Sequence, residues 1–515
     1  MTTIAGGHRS GDAGGLTDGP ADAATFDTPC NVLLDSQGRL IVADTRNDAI
    51  RRIDLSGTTP TVSTLAQMHR PTGLAWSSDG GLYVSDSTRG RIFQLSPQGE
   101  SGSLQSAVLL AAQNASDTTD FGLRLPRPTA LLVQKDGSLA VASAGSYRID
   151  IVSQPRADRA GPGADAADAD AQQTTAAARE IVARLPAVQS GRFPWPFKPQ
   201  LRAHEVVGTL GEVRGNHDGE SRDHLHGGLD MQAAMGTRVL AVADEKVSDP
   251  VSSWGFDKES EGMCLDLFCY IHMRVGRDAD GKPLENERFQ FQSDDKGKPL
   301  MVRVKRGTRF VKGDALGTVN RMYHTHLAMI AAGAEINPLT LPFAGLHDDV
   351  PPTIKAVQVH GDDGSAFEKK QKGRLLLPAG ARLHLVVEAY DQMNGNRRRR
   401  QLGLYRAGFQ LLSAKGEPVP GFEEPRITMD FERLPEDPGA VKIAYAGDSG
   451  ITVYGSKSTR MRYELTNRVR DGSALRDAWD TRDVAPGDYI LRIVALDYAG
   501  NAARAGRDVP ITFVP

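Results

Sequence analysis

RPTGLAWSSDGGLYVSDSTRGRIFQL, residues Arg70 to Leu95, runs proline, short strand, Asp-Gly turn, strand, polar turn, strand. The same order recurs in TPCNVLLDSQGRLIVADTRNDAIRRI from Thr28 and in RPTALLVQKDGSLAVASAGSYRIDIV from Arg127. The prolines at 29, 71 and 128 set the spacing: 71 − 29 = 42 and 128 − 71 = 57, the second lengthened by extra residues in Ser103–Phe121. A period near 42 built from short strands points to propeller blades or a β-solenoid, since each unit is a small antiparallel sheet that buries its faces against its neighbours. Closed propellers need about four to eight blades, so three repeats predict an incomplete set. The missing blades would lie upstream of residue 1 or come from another chain, or the three form an open stack docked on the rest. Trp76, Tyr83 and Phe93 follow the strand alternation and are expected in the core. Asp44 and Asp86 hold equivalent repeat positions and are expected to accept turn amides rather than to bind calcium.

At 515 residues the chain has room for about three domains of ~100–200 residues each. Its 61 basic and 64 acidic side chains leave a net charge of −3, which gives neither a basic field for nucleic acid nor an acidic tail. No apolar run approaches the ~18 residues of a transmembrane helix. The opening MTTIAGGHRSGDAGG lacks the ~7–15-residue apolar core of a secretion signal. Three cysteines exclude a disulfide framework and leave Cys264 and Cys269 as the one plausible pair, with three buried thiols as the alternative.

The expected fold class is mainly β and multidomain. Residues 1–153 carry the repeats. From Arg156 to Glu180 there is no Val, Ile, Leu, Met, Phe, Trp or Tyr, a composition that cannot bury enough apolar surface to order itself. Residues 154–190 therefore read as a flexible linker, with a short helix around Thr174–Leu185 where Ala, Arg and Glu favour it. A globular segment follows over 191–346. Over 347–515, alternating strands such as Leu383–Tyr390 and Tyr489–Leu496, separated by turn residues, predict a β-sandwich.

The middle segment concentrates the histidines: His224 and His226 before Asp230, His272, and His324 with His326. A zinc ion takes about four ligands from His, Cys or carboxylate, with one position open in a catalytic site. On an ideal strand, residues four apart share a face but lie ~13 Å from each other. His226 and Asp230 can therefore converge only if the chain bends, and Gly227-Gly228 between them permits it. His324 and His326 face one side of a strand, ~6.7 Å apart along it, so that one can ligate while the other reaches metal-bound water. His224, two residues before His226, could support or replace it; His204, His217, His347, His360 and His384 lie outside the pattern.

Over Phe193–Phe343 the sequence resembles the M23, or LytM-type, peptidoglycan endopeptidases, whose elements occur here in order. They are the Pro-rich Phe193–Phe197 with Gly211-Glu-Val-Arg214, then His226-Gly-Gly-Leu-Asp230, then Gly236–Ala243. Tyr270-Ile-His272-Met, Val311–Gly317, His324-Thr-His326 and Asn337-Pro-Leu339 follow. The resemblance implies an antiparallel β-sheet catalytic domain with Zn²⁺ held by His226, Asp230 and His326, and with His324 and His272 as catalytic histidines. His324 would take a proton from water and return it to the leaving amine; His272 would orient the water or stabilise the oxyanion, with the phenols of Tyr270 and Tyr323 as weaker candidates for that task. Three departures bear on the groove: Asn320-Arg-Met-Tyr323 replaces a small-residue loop and Thr325 a leucine; a charged insertion spans Arg277–Lys298; Glu245 replaces a turn glycine.

The early repeats resemble NHL repeats, including the glycine-rich lead-in and the segments Ala43–Thr45 and Ser85–Ser87, and ALDYAGNAA near the C-terminus resembles bacterial immunoglobulin-like modules. The implied activity is zinc-dependent hydrolysis of the peptide cross-links of bacterial peptidoglycan, with its peptide stems as substrate, in the periplasm or outside the cell. The propeller repeats would offer a surface for a protein partner, and nucleic acid is not an expected partner. The alternatives are a metallopeptidase acting on a protein substrate and a non-enzymatic wall-binding scaffold that regulates other hydrolases. Arg397–Arg400 is the one notable run of like charge and is expected as a solvated hairpin loop, with contact to an anionic wall polymer or lipid as the alternative.

Overall fold

The computed structural model describes residues 3–6, 15–68, 70–77, 80–87, 91–98, 103–110, 128–143, 148–152, 175–216, 219–247, 253–294, 296–435, 438–452 and 458–515. The chain is mainly β, arranged in several separate sheets. Each repeat forms one antiparallel sheet. The first adds Gly19–Pro20 to Pro29–Leu34, Leu40–Asp44, Ala49–Asp54 and Thr61–Gln67; the second runs from Pro71–Trp76 to Ser103–Leu110; the third holds Pro128–Val133, Leu139–Ser143 and Arg148–Val152. Alternation decides what lies between them. Ile41, Ile50 and Leu65 meet Leu74, Leu82 and Val84 across the first interface, and Ala75, Tyr83 and Ile92 meet Leu139 and Val141 across the second. These stacked sheets have the form of propeller-type blades. Trp76 packs at the first interface and Tyr83 in the second. Asp44 accepts the Asp27 amide at 2.8 Å, as expected, and also pairs with the buried Arg51 at 2.8 Å.

Most of the sequence expected as linker, residues 154–174 of 154–190, lies outside the described residues, but residues 175–183 are helical. Ala178 and Val182 of this helix are buried in the central core, and Arg179 pairs with Glu432, so this part is packed against the rest rather than free. Apolar residues at positions four apart give even a short helix one face to bury.

The central region is built on a seven-stranded sheet. Its order is Val206–Gly208, Leu229–Gln232, His324–Ala331, Phe268–Ile271, Gly262–Cys264 and Ser253–Trp254, with Ala334–Ile336 also pairing to His324–Ala331. Cys264 and Cys269 are direct partners across one hairpin and form a disulfide. A smaller sheet of Arg238–Leu240, Ala315–Val319 and Met273–Val275 lies beside it, and Phe193, Trp195, Met231, Phe268, Tyr270 and Leu327 belong to the core they share. The charged insertion is largely folded in. Phe289–Ser293 and Pro299–Val304 form a hairpin whose Phe289, Val302 and Val304 join the core, and Arg277 is buried against Glu261 with its guanidinium 4.1 Å from the Phe256 ring centre.

The C-terminal region is a β-sandwich of a four-stranded and an eight-stranded sheet. Leu383, Leu385 and Val387 from one sheet meet Phe409, Leu411, Leu491, Ile493 and Phe513 from the other, with Trp479 5.5 Å from Phe409 and 5.7 Å from Phe513 between ring centres. It is fastened to the central region at several points. Met393 and Leu402 enter the central core, Tyr445 donates to the Gly211 carbonyl at 2.8 Å, and the Gly403 amide donates to Glu212 at 2.9 Å. The basic run Arg397–Arg400 is not simply solvated: Arg397 and Arg400 lie 3.7 and 3.8 Å from Glu205 of the central region. The repeats also touch the central region, where Arg46 stacks 4.4 Å over Trp254.

Candidate metal centre

Register brings the two halves of the site together. Asp230 on Leu229–Gln232 pairs directly with His326 on His324–Ala331, and Gln232 with His324. The strand His224–Leu225 stops before His226, and the chain bends through Gly227 and Gly228 before Leu229 resumes. Gly228 is forced by packing, since a Cβ there would sit 2.6 Å from His326 Nε2 and 2.5 Å from the Leu327 carbonyl. The bend turns His226 back over the sheet. Its Nε2 lies 3.0 Å from Asp230 Oδ2 and 2.9 Å from His326 Nδ1, and His326 Nδ1 lies 3.0 Å from Asp230 Oδ1. All three residues are buried.

Two imidazole nitrogens and a carboxylate, mutually about 3 Å apart, fit the donor set of a zinc ion. The edge of a tetrahedron with bonds of ~2.0–2.1 Å is ~3.3 Å. His226 is oriented by its other nitrogen, which donates to the Thr209 carbonyl at 2.8 Å; because a carbonyl only accepts, Nδ1 holds the proton and Nε2 presents a lone pair. Burial, helped by the neighbouring Arg214, pushes the His226 pKa down to about 4, so the imidazole is neutral as a ligand must be. Burial opposes ionisation of Asp230, but the imidazoles of His226 and His324 outweigh it and hold the carboxyl well below the usual range. Arg214, 3.3 Å from Asp230 Oδ2, is itself held by Glu212 at 2.7 Å.

The other two expected site histidines flank this trio. His324 Nε2 is 3.7 Å from Asp230 Oδ1, and the His272 and His324 ring centres are 4.6 Å apart. Both are fixed in the same manner as His226: Nδ1 of His272 donates to the Glu259 carbonyl and Nδ1 of His324 to the Met322 carbonyl, each at 2.8 Å. His272 leaves its strand with φ of 64°, and Tyr323, just before His324, has φ of 57°. Burial, then the nearby His324, lowers the His272 pKa to about 4.

Sequence reasoning missed the part played by Asn320. Its Nδ2 donates to the Glu259 carbonyl at 2.8 Å, the same oxygen that holds His272, and its Oδ1 accepts the Met322 amide at 2.9 Å, next to the carbonyl that holds His324. One amide thus braces both catalytic candidates. Arg214 and Glu212 were visible as part of a motif but without a task. Tyr270 is a correction: strand alternation points it into the core, where its hydroxyl accepts the Val242 amide at 3.0 Å and donates to Glu245 at 3.3 Å, so it cannot serve the site. Tyr323 is 54% exposed at the rim. His224 is exposed and pairs with Asp223 at 2.9 Å, apart from the trio, and His217 lies outside the described residues.

No family model matches the chain, and no curated protein matches it. Solved structures give weak likenesses. Virginiamycin B lyase from Staphylococcus aureus is 17% identical with a TM-score of 0.18, covering 26% of this chain and 43% of its own length. The extracellular domain of the hybrid two-component system BT4673 from B. thetaiotaomicron is 9% identical with a TM-score of 0.20, over 98% of this chain and 59% of that one. Helicobacter pylori Csd3 is 13% identical with a TM-score of 0.20, over 60% of this chain and 72% of that one. Scores this low bear on neither fold nor function, and the description of the site rests on its own geometry.

Proposed function

We propose that this chain is a zinc-dependent endopeptidase that hydrolyses peptide cross-links of bacterial peptidoglycan. The observation that carries the reading is the convergence of His226, Asp230 and His326 on one point, with His324 and His272 alongside and each of these histidines but His326 fixed through Nδ1 to a backbone carbonyl. A zinc ion held there would lower the pKa of a bound water to ~7 and polarise a scissile carbonyl. His324 presents a lone pair on Nε2 beside that position and is placed to accept the proton of the water and pass it to the leaving amine. His272 presents the same kind of lone pair, so it suits orienting the water; stabilising an oxyanion would need a second proton, which burial opposes. Peptidoglycan as substrate, and with it a place outside the cytoplasm, rests on the M23 resemblance. The Cys264–Cys269 disulfide is in keeping with an oxidising compartment. No helix among the described residues is long and apolar enough to cross a membrane.

The test is mass spectrometry of fragments released from purified peptidoglycan by the zinc-loaded protein beside a His324→Ala control. Peptide-cleaved muropeptides that vanish in the control are the expected result and identify the bond. Absence of release from a protein shown to carry zinc would turn the reading to a protein substrate or a wall-binding scaffold.

A further inference from the structure

A second cluster lies at the joint between the central region and the sandwich. One carboxylate oxygen from each of Asp348, Asp391 and Asp497 lies within 4.8 Å of the other two, and all three residues are buried. They come from three places: Asp348 from the segment joining the two regions, Asp391 from the end of Arg382–Tyr390, and Asp497 from the end of Gly487–Leu496. Asp497 is fully engaged, its two oxygens accepting the Asn501 amide and side chain at 2.7 Å each. Asp391 is only 3% exposed, and its Oδ1, like Oδ2 of Asp348, has no hydrogen-bond partner. Among the described residues no Lys, Arg or His forms a salt bridge with any of the three.

Burying one unpaired carboxylate is costly, and burying three together more so, unless protons or a cation neutralise them. Without a cation, burial and then Asp497 and Asp348 push Asp391 up to about 9, and burial with Asp497 pushes Asp348 up to about 6. Three carboxylates gathered within reach of one point, two of them with a buried oxygen that no donor fills, are the arrangement of a cation site with its donors ready. We infer that Asp348, Asp391 and Asp497 bind a calcium ion that fastens the sandwich to the central region. An all-oxygen donor set selects a hard cation over zinc, and ligands drawn from three separate segments suit the irregular six- to eight-fold shell of calcium better than the strict octahedron of magnesium. The loop after Asp391 carries Met393 into the central core and sets Asn396 on Val206, so the ion would brace the edge of the sheet that holds Asp230.

The experiment uses the full chain, stripped of metal and reloaded with one equivalent of zinc, and follows thermal unfolding and equilibrium dialysis with CaCl₂. Extracellular calcium modules bind at ~10⁻⁴–10⁻³ M, so one calcium per chain and a rise of ~5 °C in the unfolding midpoint are expected at millimolar calcium. In Asp391→Asn and Asp497→Asn the rise disappears, and the calcium-free midpoint of Asp391→Asn is equal to or above that of the parent because no buried carboxyl remains there to be kept neutral. No bound calcium in the folded parent overturns the inference, as does a rise of undiminished size in both variants. An equal rise with MgCl₂ overturns the assignment to calcium. Should one variant fail to fold, the stoichiometry of the parent and the other variant still decide.

Discussion

The His226–Asp230–His326 cluster and the Asp348–Asp391–Asp497 cluster are both buried, yet only the first is surrounded by groups that balance its charge. Around Asp230 stand two imidazoles within 3.0 Å and the Arg214 guanidinium at 3.3 Å. Each ring of the site but His326 is locked by a carbonyl behind it, and the Asp230 carboxylate has a cation beside it. Around Asp391 stand two more carboxylates and, among the described residues, no Lys, Arg or His in a salt bridge with it. A site of the first kind is organised before its ion arrives and can be used for chemistry; a site of the second kind gains its order from the ion, which suits a structural fastening.

The contrast breaks most directly at the proposed zinc ligands. His326→Ala is expected to lose bound zinc and activity together, whereas His324→Ala keeps the zinc and loses ~10²–10⁴-fold in rate, the ordinary worth of a general base. Metal analysis beside muropeptide release separates them, and zinc lost from both variants would merge the two assignments. Next, Arg214→Met removes the cation behind Asp230, and zinc affinity measured against a competing chelator should fall ~10–100-fold. An unchanged affinity would mean that Asp230 needs no such balance. Asn320→Ala, which frees both catalytic supports at once, should lower the rate ~10-fold with zinc content and folding intact. The outcome that counts against it is a rate loss explained wholly by lost zinc.

The smallest effect concerns Glu245, a buried carboxyl that belongs to neither cluster and accepts from the Tyr270 hydroxyl. Burial, with Asp266 adding repulsion, raises its pKa from 4.5 to about 8. The folded state then holds a proton that the unfolded state releases, so stability is full below the unfolded value and falls between pH ~4.5 and ~8, by up to ~1.4 kcal/mol per pH unit for this one group. Glu245→Gln should flatten that decline in a series of denaturant titrations. A parallel decline in variant and parent would show that this carboxyl ionises freely in the folded protein.

How much of this was open to the sequence follows from spacing. The blades announce themselves through prolines at equivalent positions 29, 71 and 128 and an alternation that fixes which side is buried, and the candidate metal trio through His226, Asp230 and His326 with glycines at the bend. Tyr270 was misjudged because His272 departs from the strand at positive φ, so the tyrosine two residues earlier need not share its direction. Asn320 looked like a departure in a loop, and its value depends on the Glu259 carbonyl, which no local pattern connects to it. The acidic trio was invisible for the same reason: three ordinary aspartates, far apart in the chain, become a cluster only when the chain folds. The linker composition was legible, but the burial of Ala178 and Val182 on a neighbouring core was not, since alanine-rich sequence suits a solvated helix as well as a packed one.

The Asn396 side chain has one more consequence. Val206 lies on the outermost strand of the seven-stranded sheet, and its amide and carbonyl are both taken by that carboxamide, at 3.2 and 2.7 Å. An open sheet edge invites another strand, from a second copy or from an extended peptide, and a row of free amides there is a route to aggregation. Here a single residue of the neighbouring sandwich imitates a strand at the position where pairing would begin. The C-terminal region thereby acts as a plug on that edge of the sheet that carries Asp230 and His326.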